Sequence, residues 1–209
     1  MGTWTAIYIE TADLEKTISV VEEIANSKEK TEGSFPNDLQ RNYLFGSSST
    51  PNYLVVGKTQ DDWVTIRHNS LGKLENWGKW LSEKLDSQVI ITLADNTSDG
   101  YYFALYKGGI IKREIETCYS EDFDMVNKGI PFEFENEKPG ERHDWNGVVS
   151  YIFDFDSIVR YCKYFGLTIQ TDYQNVTWTI LKGGQEQTKI KEIVNKFIET
   201  PRKPWWKFW

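Results

Sequence analysis

The 209 residues suffice for one large domain or two small ones with a sizeable core. Aromatics make up 15% of the chain, nine Trp among them, which excludes disorder over most of its length; 15 Gly and six Pro exclude a collagen-like or Pro-rich chain. The net charge of −7 disfavours phosphate backbones as partners, so direct nucleic-acid binding is not expected.

Residues 3–10 are short and rich in β-formers, with Trp4, Ala6 and Tyr8 alternating against Thr5, Ile7 and Ile9, and predict a strand. Thr11 or Asp13 can cap the helix that follows, in which Leu14, Ile18, Val21 and Ile24/Ala25 recur at helical spacing. Residues 27–50 are polar, with Gly33, Pro36 and Gly46, and predict a long loop, or a loop with one weak turn around Leu39 to Phe45. Residues 52–56 and 63–68 predict a hairpin. Ser70 can cap the clearest amphipathic helix, built on Leu71, Leu74, Trp77, Leu81 and Leu85. A strand at 89–93 precedes a hairpin of 101–106 and 110–115 that turns on Gly108-Gly109.

Residues 116–147 lack periodicity and predict an acidic insertion. Beyond it come a strand at 148–153 and a helix capped by Asp154 or Asp156, with Ile158, Val159, Cys162 and Phe165 on its apolar face and Gly166 as its stop. A strand at 176–181 and a helix at 187–199 follow. Trp4-x-x-Ile7 and Trp63-x-x-Ile66, each followed by a helix, form a faint internal repeat. The pattern predicts an α+β fold with a mainly antiparallel sheet and helices packed on its faces. Residues 1–200 would form a single domain carrying the insertion, and 201–209 a Trp-rich basic tail.

The chemistry-bearing patterns are sparse. Gly183-Gly184 and Gly108-Gly109 read as turns, since a phosphate cradle needs spaced glycines between a strand and a helix. His68, His143, Cys118 and Cys162 show no metal-ligand spacing, so neither a metal nor another cofactor is expected. A Cys118–His143 pair is conceivable within the insertion but has no motif around it. Two cysteines are too few for a disulfide framework. With no basic start or long apolar run in residues 1–10, they point to a reducing cytoplasm.

Charge distribution says more than its total. Residues 114–144 hold ten acids against three bases, while residues 180–209 hold seven bases against three acids. In the insertion, Glu121, Asp122 and Asp124 surround Phe123, and Glu133, Glu135 and Glu137 alternate with Phe132, Phe134 and Asn136. In an extended segment this would turn Phe132 and Phe134 inward and the carboxylates outward, as a negative ridge for a basic partner protein. Such a partner could be an enzyme that itself binds nucleic acid. In the tail, Trp205, Trp206 and Trp209 beside Lys207 suit fold-back onto the domain or a partner contact; membrane anchoring by so short a segment is disfavoured.

Tyr101-Tyr-Phe-Ala-Leu-Tyr106, Gly108 and Arg113-Glu114, with Gly129-Ile-Pro-Phe-Glu133, Phe153-Asp-Phe-Asp156 and Tyr161-Cys-Lys-Tyr-Phe-Gly-Leu167, form a connected pattern over residues 63–167. It resembles that of uncharacterised bacterial domains, several of which look like immunity or accessory proteins of toxin systems. The resemblance brings no catalytic signature. It implies a non-catalytic immunity or inhibitor protein that sets an acidic surface against a basic partner. The competing expectation is a small hydrolase or transferase with a cleft beside the insertion, where His68, His143 or Cys118 would converge.

Overall fold

Strand β1 (Thr3–Glu10) is the middle strand of a nine-stranded, wholly antiparallel sheet. The computed structural model describes residues 3–36, 39, 51–119, 124–135, 138–169 and 173–183. In it β1 is followed by helix α1 (Leu14–Ala25), β2 (Ser27–Gly33), β3 (Tyr53–Gln60), β4 (Trp63–His68), α2 (Glu75–Lys84), β5 (Val89–Asp95), β6 (Gly100–Lys107) and β7 (Ile110–Cys118). Then come β8 (Val126–Gly129), a separate hairpin of β9 (Glu141–Trp145) and β10 (Val148–Ile152), α3 (Phe155–Tyr164), a single 3₁₀ turn (Tyr173–Asn175) and β11 (Trp178–Gly183). The spatial order is β2-β11-β3-β4-β1-β5-β6-β7-β8. The chain is therefore mostly β, with three helices among the described residues.

The central strands are buried on both sides. Thr5 to Ile9 of β1 and every residue of β4 lie inside. Alternate residues enter two different apolar clusters, as a pleated strand requires. Ile7, Ile9, Val64, Ile66 and Ile91 join Ile18 and Val21 of α1 and Trp77 and Leu81 of α2. Ala6, Tyr8, Ile90, Phe103 and Ile115 join Phe155, Ile158, Tyr161 and Cys162 of α3. The two Trp-x-x-Ile segments lie on neighbouring strands, with Ile7 opposite Ile66.

Local signals place several element ends. Asp13 caps α1, its carboxylate accepting the Lys16 N–H at 2.9 Å, and Asp154 caps α3 through the Ser157 N–H at 2.9 Å. The β6–β7 turn consists of Gly108 and Gly109, both at positive φ (58° and 74°), the signature of a type I′ hairpin turn. Residues 27–33, for which the sequence predicts loop, form the edge strand β2. Its Ser-Lys-Glu-Lys-Thr-Glu-Gly has no apolar alternation, because an edge strand takes its register from its neighbour β11. Charged residues there also deter pairing with other chains. The predicted second helix begins later than expected, at Glu75. Ser70 accepts the Gly72 N–H in a tight turn instead of capping the helix, and Leu74 sits at φ 52°. Its predicted apolar stripe holds from Leu74 onward, with Leu74, Trp77, Leu81 and Leu85 all buried. The strand expected at 148–153 exists as β10 but pairs only with β9, outside the main sheet. The helix expected at 187–199 lies outside the described residues.

Candidate partner-binding surface

The acidic excursion leaves the sheet at its far edge. β8 pairs with β7 through Arg113 opposite Gly129 and Glu114 opposite Lys128. Gly129 has φ 91°, and a Cβ there would overlap the Lys112 carbonyl, so only glycine permits this exit. The chain then passes Ile130 and Pro131 and folds into a tight turn, the Glu135 N–H donating to the Phe132 carbonyl at 2.9 Å.

That turn overturns the expected ridge at one of its members. Residues 132–135 are not extended. Phe132 and Phe134 stack 5.6 Å apart and lie against Tyr161 and Tyr164 of α3. The turn swings Glu135 inward, where its side chain is 1% exposed and faces the wholly buried Arg113. The two form a fork: Arg113 Nε donates to Oε1 at 2.9 Å and Nη2 to Oε2 at 2.5 Å. Phe132 N–H adds a bond to Oε1 at 2.9 Å, and Arg113 Nη1 reaches the Lys128 carbonyl at 2.7 Å. Burial pushes the Glu135 carboxyl up, but Arg113 and the Phe132 N–H outweigh it and hold it below its ordinary value. Burial, with the Glu135 charge added, raises the Tyr161 phenol, although the two groups do not meet hydrogen-bond geometry. Glu135 is thus an internal strut, paired with Arg113.

Other acids of the region are also answered from within. Glu116 pairs with Lys73, and Glu114 with Lys128 at 3.1 Å. Asp124, Glu133 and Glu141 are exposed and enter no ion pair among the described residues. The predicted contacts Glu121, Asp122 and Glu137, and the tail residues Trp205, Trp206 and Trp209, lie outside the described residues.

The feature that charge counting missed is apolar. β9 and β10 turn on Asn146-Gly147, both at positive φ, and the Asp144 carboxylate accepts the Gly147 N–H at 3.0 Å. Trp145 and Val148 stand directly opposite each other at this tip, 69% and 68% exposed. The base is held: Arg160 Nη2 donates to the Gly140 carbonyl at 3.1 Å, and the Phe153 N–H donates to the Tyr119 hydroxyl at 2.7 Å. The Trp-Asn-Gly-Val run carried a readable hairpin signal, since Asn-Gly between β-formers is a strong turn marker.

The residues that could have carried catalysis are scattered. His68 on β4 and Cys118 on β7 are four strands apart in the sheet, roughly 19 Å at the usual inter-strand spacing. His143 belongs to the separate hairpin. The Cys118 thiol donates to the Ser98 carbonyl at 3.3 Å. Cys162 is buried, which pushes its thiol up and away from the reactive thiolate. No group of three or more His, Cys, Asp or Glu among the described residues is placed to hold a metal. No helix among them is long and apolar enough to cross a membrane. Comparison with protein-family models, with curated proteins and with solved structures finds no match for the chain.

Proposed function

We propose that this chain is a non-catalytic binding protein of immunity or inhibitor type that docks a basic partner protein through the excursion between β7 and α3. The observation that carries this reading is the β9–β10 hairpin, anchored at its base and presenting Trp145 and Val148 to solvent at its tip. Exposed tryptophan on a held scaffold is the usual centre of a binding hot spot, because it buries a large area at low entropic cost. The exposed carboxylates of Asp124, Glu133 and Glu141 supply the negative field that would steer a basic partner. The partner surface would offer an apolar pocket for Trp145, rimmed by Lys or Arg. A sheet covered by helices on both faces, supported by the two apolar clusters, would serve as the rigid body behind the hairpin. The pattern-level resemblance to immunity-like domains points the same way.

Charge reversal at the exposed acids tests the steering. The full chain, immobilised, is used to isolate its partner, and association is then measured with purified components. Asp124→Lys with Glu133→Lys is expected to slow association about tenfold or more at low ionic strength, with little change in dissociation, and the difference should shrink in high salt. Equal association rates at low salt would remove the electrostatic part of the proposal. Glu135 must be left intact in this experiment, since its reversal would disturb the core.

A further inference from the structure

Well inside the sheet, a second buried arginine, Arg67, pairs with no carboxylate among the described residues. Ala6 of β1 lies opposite Arg67 of β4 and Thr92 of β5, and Trp4 and Tyr8 are two residues to either side of it. All four side chains therefore leave the sheet on one face, around a single methyl group. Arg67 is 6% exposed, and Tyr8 and Thr92 are fully buried. The Arg67 Nε donates to the Thr5 carbonyl at 2.6 Å. Its guanidinium lies 3.8 Å from the Trp4 ring centroid, with Tyr173 and Phe35 at 5.7 and 5.9 Å. No carboxylate of the described residues pairs with it.

Three polar groups on this face are unsatisfied. Trp4 Nε1, Tyr8 Oη and Thr92 Oγ1 are buried with no hydrogen-bond partner among the described residues, and each can donate. The Trp4 N–H is near enough to the Tyr8 oxygen to pull its pKa slightly down, yet the pair does not meet hydrogen-bond geometry. Burial outweighs this and keeps the phenol protonated, so it stays a donor. A buried cation is costly without a counter-charge, and buried donors are costly without acceptors. Stacking on Trp4 offsets part of the first cost only. Arg113 shows how this chain treats a buried guanidinium elsewhere, with a bidentate carboxylate and a carbonyl.

We propose that Arg67, Tyr8, Thr92 and Trp4 form a binding site for a small oxyanion, the carboxylate or phosphate group of a small ligand whose remainder lies against the rings of Phe35 and Tyr173. The site is independent of the partner-binding hairpin. The test uses the full chain, with inorganic phosphate and acetate as probes. Thermal unfolding is followed in sodium phosphate, sodium acetate and sodium chloride at equal ionic strength and pH 7, and each anion is titrated calorimetrically. At least one of the two oxyanions is expected to raise the melting temperature above the chloride value and to bind saturably. Phosphate alone would assign a phosphate-bearing ligand, and acetate alone a carboxylate. Tyr8→Phe and Thr92→Val, which preserve side-chain volume, should each weaken that binding at least threefold, and Arg67→Gln should abolish it. Coincident melting in all three salts overturns the proposal. So does an oxyanion effect that survives unchanged in both Tyr8→Phe and Thr92→Val, which keeps the test decisive if Arg67→Gln fails to fold.

Discussion

Arg113→Ala is expected to cost about 3–5 kcal/mol of stability, the range for breaking a buried ion pair by removing one partner. The substitution leaves Glu135 buried with, among the described residues, only the Phe132 N–H to answer its charge. It also strips a hydrogen bond from the Lys128 carbonyl and so loosens the β7–β8 edge. Glu135→Ala should cost a similar amount, because the guanidinium then remains buried without a counter-charge. The pair carries a diagnostic: Arg113→Leu with Glu135→Leu should recover most of the single-variant loss, since neither charge is left alone. Urea unfolding of the wild type, Arg113→Leu, Glu135→Leu and the double variant in a double-mutant cycle gives the coupling directly. The pH sign follows from the depressed Glu135 carboxyl: the stabilisation is present above the ordinary carboxylate value and is lost as pH falls through the lower folded value.

His68 should make the protein acid-sensitive in a higher window. The side chain is buried at the end of β4, its Nδ1 accepting the Ser70 N–H at 3.3 Å. Burial first, and the neighbouring Arg67 charge second, lower its pKa from 6.5 to about 3. Between these two values the unfolded chain takes up a proton that the folded chain refuses. Stability contributed by neutral His68 is therefore full above pH 6.5 and falls by about 1.4 kcal/mol per pH unit below it. From pH 6.5 to 5 the loss should be about 2 kcal/mol. His68→Gln keeps a hydrogen-bond acceptor without an imidazole. Chemical unfolding at the two pH values should show the drop in the wild type and its absence in this variant.

What the sequence revealed follows burial. β1, the Leu74–Trp77–Leu81–Leu85 stripe and the Gly108-Gly109 hairpin were legible because apolar period and turn chemistry agreed there. β2 and β8 were not, because both are polar edge strands whose pairing is dictated by β11 and β7. The Glu133–Glu135 alternation misled for a related reason. Period-two reading assumes an extended backbone, whereas stacking of Phe132 and Phe134 on α3 favours a turn that sends successive carboxylates opposite ways. The two arginines that organise the interior left only a faint signal. Arg113 shares a sheet face with Ile115, and Arg67 with Trp63, which a period-two reading could have marked as inward. Charge counting drew notice to the acidic insertion as a whole. It could not separate the struts, Glu114, Glu116 and Glu135, from the exposed acids, because the lysines and the arginine that answer them lie up to dozens of residues away.

The hairpin tip decides the functional account. Trp145→Ala removes an exposed side chain, so the melting temperature should stay within a degree or two of wild type. Titrated against the isolated basic partner, the variant should bind about 30-fold more weakly or worse, the loss of about 2 kcal/mol or more typical of a hot-spot tryptophan. Affinity equal to wild type, with the fold intact, would contradict docking through the β9–β10 hairpin.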